Sequence, residues 1–500
     1  FKTRLNPQFQ GFSRKTARRF GFQQFKERKV ILVSLFESTS NKFGLTFDCW
    51  RGVDGDDYIV VTCHWIDDKW VMQKRILAFR LFDPPHNAPR IAHLITSVCV
   101  EYGISNRIFS ITTDNASNNI AAIPALKSSL NAVVGGVFFH TRCICHILNL
   151  CVQDALRIEE LDDALGYMRK LVNLVKKSSA KRLIFKQMCQ SRGIPFKSLK
   201  IDCSTRWNST LNMLRSLLPY KQIIPSFLTS QIDHNLFIDS TIFTKFETLC
   251  ELLSVFEKYT LTFSGSYYPT NHLVLPALVS ISKVFKKYAD VNFLKEIVYA
   301  MSDKFVKYFV SIPPLFLISA ILDPRIKISG LHTGLKVFCE YVNSLHLLEV
   351  DLNPDIMYDS ALTSLNSLYD LFEKETGNSK STNVDGSVVD GSATDDFYTM
   401  VSASETTISK SSEIALYTSM HQVQHKGDDF DILAWWNGQA SVYPTLAAIV
   451  LASFAPPAST VASESAFSLG GRILTPKRSR LLDTTLEMCV CLKDWVAAEQ

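Results

Sequence analysis

The chain has 500 residues, 47% hydrophobic and 20% charged, with a formal net charge of +5. That length exceeds what one ordinary core serves, and that balance excludes a disordered protein, so two or more folded domains are expected. No apolar run reaches the about 18 residues that a membrane helix needs. The 12 cysteines include no C-x-x-C pair and no closed zinc set, which points to reduced thiols, an intracellular protein, no membrane partner and no zinc site.

Residues 1–30 carry nine Lys or Arg against one acid, Glu27. Such a run is the electrostatic footprint of a polyanion partner, or else a solvated basic helix face or a nuclear-localisation-like patch. The chain opens on Phe1 rather than Met, so a further N-terminal piece is expected. Residues 1–42 read as a basic helical segment. "FGLTFDCW" (43–50) alternates and is rich in aromatic and β-branched residues, as strands are. "DYIVVTCHWID" and "WVMQKRILAFRLF" continue in kind, punctuated by "DGDD" (54–57) and "DDK" (67–69) as turns. This predicts a three-stranded antiparallel meander. "PRIAHLITSVCVEYG" (89–103) has helical spacing and a stop at Gly103.

"FSITTDNASNN" (109–119) then reads as a strand ending at Asp114. Asp114 is a natural helix N-cap, because its side-chain oxygen can accept an orphan amide. It is also a candidate metal carboxylate, though on this stretch alone the cap is the better reading. "GGVFFHTRC" follows, then a helix from about Cys143 to Ile158. The order is three strands, helix, strand, helix, strand, helix, with Asp48 in the first strand and Asp114 at the end of the fourth. That ordering lets the two strands lie side by side, as in a ribonuclease-H-like α/β core over 43–158.

Residues 159–376 turn helical almost throughout and predict an all-α insertion. Residues 377–428 are dominated by Gly, Ser, Thr and Asp and predict a flexible loop, since they cannot offset their ordering entropy. Order resumes over 429–497, which is expected to complete the core. There "FDILAWW" sets Trp435 and Trp436 beside Ile432 and Leu433, "LAAIVLASFA" is strongly apolar, and "LEMCVCLKDWV" supplies a last amphipathic helix. Apolar surface of this density marks an interface when exposed and ordinary core when covered.

Eight stretches, taken in order, carry a resemblance: "SRKT" (13–16), "FDCW" (47–50), "ITTDNASNN" (111–119), "RCICHILNLCVQDAL" (142–156), "STRWNSTLNML" (204–214), "SGSYYPT" (264–270), "LDPRIK" (322–327) and "PASTVASESAFSLGGRILTPKRSRL" (457–481). Nearly end to end the chain resembles transposases of the hAT superfamily, of the plant type that usually bears an N-terminal BED zinc finger. The finger would lie ahead of this chain. The resemblance implies a metal-dependent cut-and-paste enzyme acting on double-stranded DNA at element ends and at the target, and leaving hairpins on the flanking DNA. It implies a dimer or higher oligomer, and the nucleus. It also implies Mg²⁺ or Mn²⁺ held by two Asp and one Glu on the interrupted core. "SESAF" selects Glu464 to join Asp48 and Asp114, a choice that no local pattern makes. Hard cations take oxygen ligands, and three crowded carboxylates without a cation would repel.

The same resemblance assigns further residues. Cys143 and His146 match a Cys-x-x-His that lies beside the scissile phosphate; the alternative is a core-facing helix, since no second pair completes a zinc site. Arg206 would pair with phosphate and Trp207 would stack on a flipped base, or the two would cap a helix and anchor the insertion. Lys477, Arg478 and Arg480 form a phosphate contact or a solvated loop. Ile432, Leu433, Trp435 and Trp436 fall in the family's dimerisation region. One departure stands out. After Asp48 the chain reads "DCWRG", with Arg51 and Gly52 where the family's usual run carries hydroxyl residues. A host-recruited, catalytically inactive DNA-binding dimer acting as a nuclear regulator is the alternative reading; the three acids favour the enzyme, and the departure decides for neither.

Overall fold

The computed structural model describes residues 13–203, 206–230, 241–380, 411–425, 427, 429–475 and 481–499. Helix α1 (Arg14–Ser38) begins where the Ser13 hydroxyl accepts the Thr16 N–H at 3.0 Å, which satisfies one orphan amide. Its basic first half is exposed, while Leu32 and Phe36 of its second half are buried. Phe36 meets Trp65 edge-on at 5.1 Å.

The meander follows as β1 (Phe43–Arg51), β2 (Asp57–Ile66) and β3 (Met72–Leu81), then α2 (Ala88–Glu101), β4 (Ile108–Thr113), α3 (Ser117–Ser129) and β5 (His140–Arg142). The five strands form one sheet in the order β3-β2-β1-β4-β5. β1 is central, antiparallel to β2 and parallel to β4, and β4 is parallel to β5. β2 is buried along nearly its whole length, which is why it reads as a continuous apolar run and not as an alternation. The open edge is protected at β3. There Asp494 accepts the Ile76 N–H at 2.7 Å, and the Trp495 indole donates to the Ile76 carbonyl at 2.9 Å.

After α4 (Ile144–Ala155) the insertion runs through α5 (Glu159–Lys177), α6 (Ser179–Ser191), α7 (Trp207–Leu217), α8 (Ile224–Ser230), α9 (Thr241–Phe263), α10 (Val274–Tyr288), α11 (Lys295–Phe309), α12 (Pro314–Ile321), α13 (Lys327–Ser344) and α14 (Pro354–Lys380). α5 shows why these segments are helical. Leu161, Leu165, Met168, Val172 and Val175 bury one face, and acids at its start and lysines at its end suit the helix dipole. The chain closes with α15 (Ser411–Ser419), α16 (Ile432–Gln439), α17 (Pro444–Ser453), α18 (Val461–Ile473) and α19 (Asp483–Ala497). Among the described residues no single helix is long and apolar enough to cross a membrane.

Residues 429–497 contribute to both cores. Residues from Ile432 to Ala458 join the apolar core of the helical insertion, and residues from Ala466 to Trp495 join the core of the sheet. One expectation is corrected. The loop expected over 377–428 is too long, because α14 runs on to Lys380 and α15 is packed. Glu413 accepts the Thr445 and Leu446 N–H groups at 3.0 Å each, and Tyr417 is buried against Trp436. The polar average of that stretch hid the few residues that dock its end. Residues 381–410 lie outside the described residues.

Candidate active site

The parallel pairing of β1 with β4 places the first two acids. Thr46 is level with Thr112, and two residues further on each strand come Asp48 and Asp114. A step of two keeps a side chain on the same sheet face, and adjacent strands lie about 4.8 Å apart. Asp48, inside β1, and Asp114, just past the end of β4, therefore stand side by side on neighbouring strands. The choice between cap and ligand at Asp114 resolves by oxygen. Its Oδ1 accepts the Ala116 N–H at 3.0 Å and the Asn119 amide at 2.7 Å. Its Oδ2 has no hydrogen-bond partner among the described residues. The N-cap of α3 is Ala116, with no side-chain cap bond, so Asp114 makes a turn into the helix and keeps one oxygen free.

The third acid arrives on α18. Ser463 and Thr46 share a hydrogen bond of 2.8 Å between buried hydroxyls, and the Thr112 hydroxyl donates to the Pro457 carbonyl at 2.7 Å. The start of α18 thus lies on the sheet face that carries both Asp residues, with Glu464 in its first turn. Electrostatics agree. Burial raises the Asp48 carboxyl to about 7, the Asp114 charge adds to it, the Cys49 N–H at 2.8 Å opposes it, and Glu464 adds again. Burial also raises Glu464, the Arg206 guanidinium opposes it, and Asp114 adds. Among the described residues no three His, Cys, Asp or Glu side chains close into a ready-made metal cage. The donors still suit a hard divalent ion. They are all carboxylates, and Mg²⁺ is usually held by one or two carboxylates plus water and substrate phosphate, not by an all-protein cage. Both polar atoms of the Asn115 side chain, next to Asp114, are covered yet unpaired, which marks the place as one that a polar ligand would complete.

Comparison with known proteins follows the same division. Residues 46–135 match the ZBED1 RNase-like domain, 141–252 the ZBED1 RNase-like helical domain, and 413–496 the hAT family C-terminal dimerisation region. Two Zea mays proteins named for the AC and AC9 transposases are 31% and 30% identical, with alignments covering 100% of this chain and 62% and 63% of theirs. The Oryza sativa protein RICESLEEPER 3, named for its BED zinc finger, is 24% identical over 94% of this chain and 63% of its own length. The chain belongs to the hAT transposase family. It spans about three fifths of the length of these curated relatives.

The hAT motifs now have places. Cys143 is fully buried at the N-cap of α4, where its sulfur accepts the N–H of His146 at 3.4 Å and that of Thr460 at 3.3 Å. It therefore joins two helix starts and cannot reach DNA. His146 is half-buried in the first turn of α4. Arg206 is exposed at the N-cap of α7, within reach of the Glu464 charge. Trp207 is only 3% exposed and belongs to the insertion core, so the anchor reading describes it and an open stacking face does not. Ile432, Leu433 and Trp436 are buried inside the single chain, and the Trp436 indole donates to the Leu322 carbonyl at 2.9 Å. Trp435 is half-buried against Trp436. Ile432, Leu433 and Trp436 thus fill the chain's own core, and Trp435 alone of the four keeps an open edge. Lys477, Arg478 and Arg480 lie outside the described residues.

Sequence reasoning missed Asn119, buried and holding Asp114 Oδ1. It also missed His140, whose Nε2 is 3.0 Å from the Thr113 hydroxyl. That hydroxyl donates to the Asp114 carbonyl at 3.0 Å. Burial, helped by the Arg142 charge, lowers His140 to about 4, so it stays neutral near pH 7. The only local signal for Asn119 was its spacing of five residues from Asp114.

Proposed function

We propose that this chain is the cutting and joining portion of an hAT DNA transposase. The observation that carries the reading is the convergence of three carboxylates on one sheet face, two by strand register and one by the Thr46–Ser463 bond. Asp48, Asp114 and Glu464 would hold Mg²⁺ or Mn²⁺, which supplies Lewis-acid charge to phosphodiester oxygens when bound. The chain's own residues do the rest. Asn119 and the Ala116 amide fix Asp114, the Cys49 amide fixes Asp48, and Arg206 places a cation beside Glu464 that suits a DNA phosphate.

Double-stranded DNA is the proposed partner and the nucleus its place. On α1, Arg14, Lys15, Arg18, Arg19 and Lys26 are exposed and without ion pairs among the described residues, whereas Arg28 faces Glu499 and Lys29 faces Glu101. The match to the hAT dimerisation region supports self-association. The experiment is Mn²⁺-dependent cleavage of element-end DNA by the full-length protein. Asp114→Asn keeps size and loses charge. Cleavage should fall by about 100-fold or more, with DNA affinity unchanged or slightly tighter because one phosphate-repelling charge is gone. Wild-type rates in Asp114→Asn would refute the assignment. The recruited-regulator reading has one observation in its favour, the exposed Arg51 and adjoining Gly52 after Asp48. It prevails if the wild type binds DNA and never cuts it.

A further inference from the structure

We infer that Thr270 and Asn271, in the helical insertion, are positioning residues for Glu464 through the turn that leads into its helix. This inference rests on the catalytic reading of Glu464. The turn joins α17 to α18 as "FAPPAST" (454–460). It has no regular structure of its own, and Pro456 and Pro457 bring no N–H, so its path depends on what its remaining polar groups meet.

Those groups meet three separate parts of the fold. From the insertion, the Asn271 amide donates to the Ser453 carbonyl at 2.9 Å and to the Pro456 carbonyl at 2.7 Å. The Thr270 hydroxyl accepts the Ala458 N–H at 2.8 Å, and the Phe263 carbonyl accepts the Ser459 hydroxyl at 2.6 Å. From α4, the Ile144 N–H donates to the Ala458 carbonyl at 2.9 Å, and the Cys143 sulfur takes the Thr460 N–H. From the sheet, Thr112 holds the Pro457 carbonyl. β1 also comes so near that a Cβ at Gly44 would stand 2.4 Å from Pro456 Cα.

Thr270 and Asn271 are both fully buried, so no water substitutes for their bonds. The Thr460 carbonyl in turn accepts the Ser463 and Glu464 N–H groups at 2.9 and 3.2 Å. A shift of the turn therefore moves Glu464 relative to Asp48 and Asp114. Only the insertion's grip is independent of the sheet and of α4, so the insertion itself helps to aim the third carboxylate.

The test compares Thr270→Val, which keeps shape and removes the acceptor, with Thr270→Ser, which keeps the acceptor. In the full-length protein Thr270→Val should slow cleavage of element-end DNA by about 100-fold, the scale of a small misplacement at a reacting centre. DNA affinity should hold, and Thr270→Ser should restore most of the rate. Amide hydrogen exchange should quicken at 458–464 in Thr270→Val alone. Equal losses in both variants would mean packing rather than positioning, and an unchanged rate with unchanged exchange in Thr270→Val would overturn the inference. If the wild type does not cut, the catalytic reading fails by itself. The exchange comparison then decides the positioning: quickening confined to 458–464 in Thr270→Val supports it, and no difference between the variants overturns it. Ser459→Ala carries the same comparisons should Thr270→Val fail to fold.

Discussion

Asp48→Asn should stabilise the protein while destroying its proposed chemistry. Burial, Asp114 and Glu464 lift the Asp48 carboxyl from its ordinary 3.8 to about 7 in the folded chain. Between those values the folded protein keeps a proton that the unfolded chain has released. Stability therefore falls as pH rises through that window and levels off above it. At about 1.4 kcal/mol per pH unit, the span corresponds to roughly 4 kcal/mol. The carboxylate is half-buried on β1, and solvent screening brings the expected gain for Asp48→Asn to about 2 kcal/mol at high pH. Most of the gain should vanish near pH 4, where the folded carboxyl is protonated and the unfolded one is only part ionised. Urea melts at about pH 4 and about pH 8, in chelator and then in Mg²⁺, measure it. A cation at about 100 times its Kd adds about 2.7 kcal/mol to a protein that binds it only when folded, so Mg²⁺ should stabilise the wild type and not the variant. A variant less stable than the wild type at high pH in chelator, or equal Mg²⁺ stabilisation of both, would refute the account of Asp48 as a buried, crowded carboxylate awaiting a cation.

Arg206→Ala removes the guanidinium that holds Glu464 down against burial. The Glu464 carboxyl should titrate higher, and the acid limb of the cleavage pH–rate profile should move to higher pH; an unmoved limb would separate Arg206 from the site. Trp207→Ala should cost about 3–5 kcal/mol of stability, read in denaturant melts, because the ring lies in the insertion core; an intact fold that fails only at hairpin formation would restore the stacking role. Arg18→Ala with Arg19→Ala should flatten the salt dependence of DNA binding by about 0.9 in log–log slope for each phosphate that the variant no longer neutralises; an unchanged slope would make α1 a solvated face.

How far the site can be read in advance follows from how each part is built. Asp48 and Asp114 lie on strands whose two-residue period shows in the sequence, and a parallel crossover leaves their strands one way to lie adjacent. Glu464 is different. It reaches the sheet through a hydroxyl pair between residues 417 positions apart, and no periodicity encodes such a contact; only resemblance of the SESAF run pointed to it. Trp436 and Cys143 show the opposite limit. Apolar density and a Cys-x-x-His spacing are the same in a core as at an interface or a ligand site. What separates them is burial, and burial is set by elements far along the chain: Leu322 for Trp436, Thr460 for Cys143. The polar residues that hold the Glu464 turn belong to this second kind. Thr270 and Asn271 sit between α9 and α10, where no sequence pattern singles them out, yet both are fully buried. A buried side-chain amide that donates to two carbonyls of a proline-rich turn has few other ways to satisfy its hydrogens. That constraint ties the helical insertion to the turn before Glu464, beside the apolar packing of Ile66, Met72 and Phe109 against the same insertion core, and makes the third carboxylate depend on both.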